Sequence, residues 1–134
     1  MNLATLRVEG EEATLASLIS RLGLDIDASW RKGEPKRRGG EHQSSGFNAT
    51  VADAENPKEM LRGVRDFLAK CEASDLSFIS ESLSAELAIG VAVGDSEQFV
   101  AFVEFSSAEL MSLGALGIAL SFAAYPTSDE ANAG

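Results

Sequence analysis

One cysteine, one histidine, one tryptophan and one tyrosine are all that 134 residues provide of those four types. The single cysteine, Cys71, leaves no internal disulfide and no cysteine cluster for zinc, which excludes a disulfide scaffold and fits a reducing compartment. The single histidine, His42, lies in a Gly/Ser-rich stretch without an orienting partner nearby in sequence. Long apolar runs are missing too. The longest, Leu113 to Tyr125, is too short for a bilayer and is interrupted by Gly114, Gly117 and Ser121. No basic segment followed by an apolar one comes after Met1, so the reading expects no export, no membrane partner and a cytoplasmic location. Positive charge is scarce: 11 basic residues face 21 acidic ones, for a net charge of −10. That balance disfavours nucleic acid and anionic membranes and favours encounter with basic partners.

What remains is an ordinary globular composition, 45 % hydrophobic and 24 % charged. A chain of this size buries roughly two-thirds of its unfolded surface on folding, enough for one core without staples. The expectation is a single domain over 1–126, followed by a disordered acidic tail over 127–134.

Five of the basic residues are crowded together. Arg31, Lys32, Lys36, Arg37 and Arg38 fall within one octet that also holds Glu34. The octet carries +4, so the rest of the chain carries −14 to reach the net −10. One basic loop is therefore set against an acidic body. The plain reading is that the loop folds back on that body and is partly neutralised by it.

Periodicity gives the elements. Leu3 to Glu9 alternates as a strand, and Leu15, Leu18, Ile19 and Leu22 make one helical stripe that Gly23 can end. Asp25 to Gly46 shows no period and is rich in Gly and Ser, so a flexible basic loop is predicted over 25–46. Alternation resumes from Gly46 to Ala52. Asn56, Pro57 and Glu59 form a helix opening ahead of an apolar stripe that runs from Met60 to Cys71. A second short helical piece is predicted around Leu76, Phe78 and Ile79. Leu87 to Val93 and Phe99 to Phe105 both alternate, and Gly94 to Gln98 between them reads as a hairpin loop. Ser106 and Glu109 form a capping box, Gly117 a helix end, and Ile118 to Ala124 a last strand. The predicted class is α+β: a mixed five-stranded sheet with about three helices mainly on one face, in the order β-α-β-α-(α)-β-β-α-β.

Chemistry-bearing patterns are few. Cys71 falls on an apolar helical stripe, which favours packing over nucleophilic work. Asp25, Asp27, Glu41 and His42 share the loop without metal-site spacing, and no glycine pattern has phosphate-loop spacing. The reading therefore names no catalytic residue, no metal ligand and no cofactor. The one candidate binding set is Trp30, Arg31, Lys32, Gly33, Lys36, Arg37 and Arg38. Arginine and lysine suit phosphate, Trp30 offers a face on which a base could stack, and the glycines permit close approach.

The run Ala4-Thr5-Leu6-Arg7-Val8-Glu9-Gly10, then Leu22-Gly23-Leu24, then Ser29-Trp30-Arg31-Lys32-Gly33-Glu34, resembles the bacterial family catalogued as domain of unknown function 4279. The resemblance extends from the first strand to Ser121-Phe122-Ala123-Ala124-Tyr125. It implies a fold and no catalytic residue, since the family has no established activity. Some members are similar to proteins of toxin–immunity gene neighbourhoods. The first functional expectation is a non-catalytic interaction module, of the immunity type, for a basic protein. The alternative is phosphate or nucleic-acid binding through Trp30 to Arg38, and the third an unrecognised enzyme. A homodimer through a sheet edge is compatible with each.

Overall fold

The computed structural model describes residues 2–127. Its elements run β1 (Asn2–Gly10), α1 (Glu12–Leu22), β2 (Ile26–Trp30), β3 (Ser45–Ala54), α2 (Pro57–Ala73), β4 (Ser84–Val93), α3 (Ser107–Leu116) and β5 (Ile118–Pro126). The fold is α+β, with one mixed five-stranded sheet in the order β2-β3-β1-β4-β5 and three helices. β1 sits at the centre, antiparallel to both β3 and β4, while β5 runs parallel to β4.

A single core lies between the sheet and the helices. Ala4, Leu6 and Val8 of β1 and Leu87, Ile89 and Val91 of β4 supply its floor. Leu15, Leu18 and Leu22 of α1 cover it, together with the α2 stripe from Met60 to Cys71 and with Leu113 and Leu116 of α3. The alternate residues Thr5, Arg7, Ala88 and Ser121 fall on the opposite, helix-free face, as period-two alternation requires.

The helix ends follow their local chemistry. Gly23 and Gly117 both take the left-handed conformation that stops a helix. Asn56 Oδ1 accepts from the Glu59 backbone N–H at 2.9 Å, with Pro57 in the first turn. Ser106 and Glu109 form a reciprocal capping box.

Three local expectations are corrected. First, the stretch 25–46 is not one loop, because it contains β2 and the start of β3. β2 is a short edge strand, exposed on most of its residues and broken by a bulge between Ile26 and Ala28, so no alternation marks it. Second, Phe99 to Phe105 alternates but joins no sheet. Both edges of β4 are already taken, by β1 and by β5, so a return strand has no ladder to join. The alternation instead reflects one-sided packing of Ala101, Val103 and Phe105 against the core. Third, the segment after Ala73 forms turns rather than a helix, with Asp75 and Ser82 at positive φ. Leu76 and Phe78 are nonetheless buried. Arg21 fastens this segment to α1 by pairing with Glu81 at 2.8 Å and donating to the Ser74 carbonyl at 3.2 Å.

Thr127 is docked on the sheet end, its backbone N–H donating to the Val93 carbonyl at 2.7 Å. The rest of the predicted tail, 128–134, lies outside the described residues.

Candidate functional site

Between β2 and β3 the chain projects as a hairpin arm over residues 31–44. Its rungs are explicit. Gly33 N–H donates to the His42 carbonyl and His42 N–H to the Glu34 carbonyl, each at 2.9 Å. Pro35 and Glu41 then form a bridge, and Lys36 N–H donates to the Gly40 carbonyl at 2.9 Å. Gly39 and Gly40 adopt φ of 97° and 78° to close the tip, a region that side-chain-bearing residues avoid. The base of the arm is tied to the sheet by Lys32 N–H donating to the buried Ser45 Oγ at 3.0 Å.

The seven candidate binding residues, Trp30 at the foot of the arm and six within it, separate into a tip group and a base group. Lys36, Arg37 and Arg38 sit exposed at the tip, and among the described residues their side chains make no ion pair or hydrogen bond. The loop therefore does not neutralise itself by folding onto the acidic body. Among the described residues, only Arg31 reaches back, to Glu12 at 3.0 Å. Lys32 and Gly33 contribute backbone rungs.

Trp30 stands at the foot of the arm. Its indole lies against Gly46, where an added Cβ would come within 2.5 Å of the ring, so glycine is required there by contact. The Arg7 guanidinium lies 4.7 Å from the ring centroid, and His42 stacks on the indole at 5.1 Å with 18° between planes. The indole is thus engaged in holding the arm. Its Nε1 is buried without an acceptor among the described residues. His42 serves the same stacking group, and sequence alone gave no sign of that partner.

The opposite end of the sheet is acidic. β1 is nine residues long, so the two ends of the sheet are about 27 Å apart. Here Asp53 and Glu55 leave the end of β3, and Glu97 comes from the loop after β4. They border an open recess of about 690 Å³. All three are exposed, and none makes an ion pair among the described residues. The loop that presents Glu97 is firmly clamped. Asp95 Oδ1 accepts from the backbone N–H groups of Glu97 and Gln98, at 3.1 and 2.6 Å. Gln98 Nε2 donates to the fully buried Asn2 Oδ1 at 2.9 Å and also to the Ala92 carbonyl. Asn2 Nδ2 in turn donates to the Ala54 carbonyl at 3.2 Å. The sequence pattern did not single out this acidic end, because its members come from two segments far apart in the chain.

Nothing among the described residues assembles into catalytic machinery of a known kind. Cys71 is buried in the core beneath α2, and burial pushes its thiol up to about 11, with Glu72 adding to the shift and Lys70 opposing it. It is therefore a thiol at neutral pH. Asp27 is spent on Thr50, whose hydroxyl donates to it at 2.6 Å. No group of three or more His, Cys, Asp or Glu among the described residues is placed to hold a metal ion. No described helix is long and apolar enough to cross a membrane.

A sheet with one uncovered face, a basic arm at one end and an acidic recess at the other defines a small domain with charged, unpaired ends. Residues 1–127 match the family model described as "Domain of unknown function (DUF4279)", and the chain belongs to that family. No curated protein and no solved structure matches it.

Proposed function

We propose that this domain is a non-catalytic binding module for a basic protein, the kind of partner an immunity-type protein masks. The observation that carries the reading is the acidic recess of Asp53, Glu55 and Glu97. Glu97 is presented by a clamped loop and Asp53 and Glu55 by the end of β3, and among the described residues no cation pairs with any of the three. Elsewhere on the surface Glu9, Glu12, Glu59, Glu81 and Glu109 all have arginine partners. Unsatisfied charge on a rigid support suits recognition, because little ordering entropy is lost when the partner arrives. The net charge of −10 adds long-range steering of a cation toward the molecule.

The test is capture from host lysate at low salt, with nuclease present, comparing the native chain with the triple variant Asp53→Asn, Glu55→Gln, Glu97→Gln. A basic protein retained by the native chain and lost by the variant supports the reading. Equal retention by both overturns it.

A second reading has its own observation, the unpaired tip of Lys36, Arg37 and Arg38. Those three cations form a compact phosphate-seeking group on an arm that stands away from the acidic body. Anisotropy of a labelled single-stranded oligonucleotide tests it. Binding that is abolished by replacing all three residues with alanine favours this reading, and absence of binding by the native chain removes it.

A further inference from the structure

The two edges of the sheet are protected very differently. β2 is five residues long, is bulged, carries Asp27 and continues into the charged arm. These are the usual devices that keep an edge strand from pairing with another chain. β5 has none of them along its length. It runs nine residues in unbroken register with β4, and Pro126 comes only at its end. Among the described residues, its outer edge receives no backbone hydrogen bond from any other segment.

Charge is sparse in the same region, where Glu86 of β4 accepts from the Ser121 hydroxyl at 3.2 Å and Glu104 follows Val103. From Leu110 to Pro126 the sequence holds no Asp, Glu, Lys or Arg, and neither does Phe99 to Val103. Large apolar side chains are exposed on β5 (Phe122 and Tyr125), on the unpaired segment (Phe99 and Phe102) and on α3 (Met111). Phe122 leans edge-on against Phe105 at 6.2 Å, which ties β5 to the unpaired segment.

We propose that the outer edge of β5 is the seat of a second copy of this chain, the two β5 strands pairing antiparallel about a two-fold axis. The occupant follows from the charge distribution. A basic partner gains by meeting the acidic surface and gains nothing from a neutral strip. A second copy also carries −10, so acidic surface brought against acidic surface is repelled. The outer edge of β5, with no charged residue of its own and Glu86 one strand further in, is where two such molecules meet with least opposition between their carboxylates. An edge strand paired with its own copy satisfies backbone donors and acceptors on both sides, and an isologous contact closes after two subunits. The product is one continuous sheet with five strands from each copy. The basic arm lies on β2, at the far edge, so it stays free in the dimer.

This proposal is independent of the basic-partner reading, and salt separates the two. Added salt screens repulsion between like-charged copies and strengthens the dimer, whereas it weakens an acidic–basic complex. Sedimentation velocity of the full chain, from low to high micromolar concentration and at two ionic strengths, is the test. The expected result is a species of about twice the 14.1 kDa chain mass that grows with concentration and with salt. Phe122→Lys and, separately, Ala123→Lys place like charges near the two-fold axis and raise the dimer dissociation constant about tenfold or more. Ala123 is exposed and lies away from the core, so A123K keeps its far-UV circular dichroism and stays informative should F122K unfold. A native chain that remains monomeric at high concentration and high salt overturns the proposal, as does an undiminished dimer in A123K.

Discussion

Cys71 and Glu109 show opposite ways in which burial is handled at a single residue. At Cys71 burial is left uncompensated, and the thiol is held up to about 11 against an ordinary 9.0. The folded state therefore keeps its proton while the unfolded chain loses it. The stability this thiol contributes is complete below pH 9 and fades as pH rises toward about 11. Comparing chemical denaturation of the native chain and Cys71→Ala from pH 8 to 11 should show the native chain losing stability faster. A thiol reagent near neutral pH should label Cys71 only after unfolding. At Glu109 burial would also raise the carboxyl, but the backbone N–H and hydroxyl of Ser106 and the Arg65 guanidinium together hold it below its ordinary value. Arg65 Nε donates to Glu109 Oε2 at 3.0 Å, and Ser106 N–H donates to Oε1 at 3.0 Å. That stabilisation is present above pH 4.5 and is lost as pH falls through the lowered value. Glu109→Gln should cost about 1 kcal/mol in denaturant unfolding near neutral pH, with the difference shrinking in acid.

At the scale of elements, the contact between α2 and β3 is unusually close. A Cβ at Gly63 would come within 2.7 Å of Ala52 Cβ, so the helix rests directly on the strand. Gly63→Ala should push the two apart and destabilise the fold by about 1–3 kcal/mol, measurable as a lower denaturation midpoint. The same packing explains which elements were legible in the sequence. α1, α2 and β1 each bury one face, so their residues repeat at 3.6 or 2, and their caps are spelled by Gly23 and by Asn56-Pro57. β2 is half-buried only at its ends, Ile26 and Trp30, and left no pattern. Phe99 to Phe105 has the pattern without the pairing, because one-sided burial alone produces alternation. The arm is held by backbone rungs and by Trp30 stacked with His42, contacts that depend on no periodicity. Trp30→Ala should therefore lower the hydrogen-exchange protection of the Gly33 and His42 amides while leaving β1 protected.

Over the whole molecule, composition made the charge imbalance legible, and the fold decides where it is displayed. The basic octet is contiguous, so its segregation could be read directly, whereas the acidic recess required β3 to end beside the loop after β4. Asn2 and Gln98 illustrate the point, since they are far apart in sequence and the buried Asn2 holds the half-buried Gln98 in the loop that presents Glu97. The resulting polarity runs along the strands, from the cationic arm to the anionic recess, while the neutral edge of β5 lies across it. The three proposed contacts, with a basic partner, a polyanion and a second copy, therefore concern three different regions.

The most direct test of the basic-partner reading is zero-length carbodiimide cross-linking of the captured complex, mapped by mass spectrometry. This chemistry joins a lysine only to a carboxylate it touches. The account predicts links from the partner's lysines to Asp53, Glu55 and Glu97. Links confined to Lys36 of this chain, or to carboxylates remote from the recess, would contradict it.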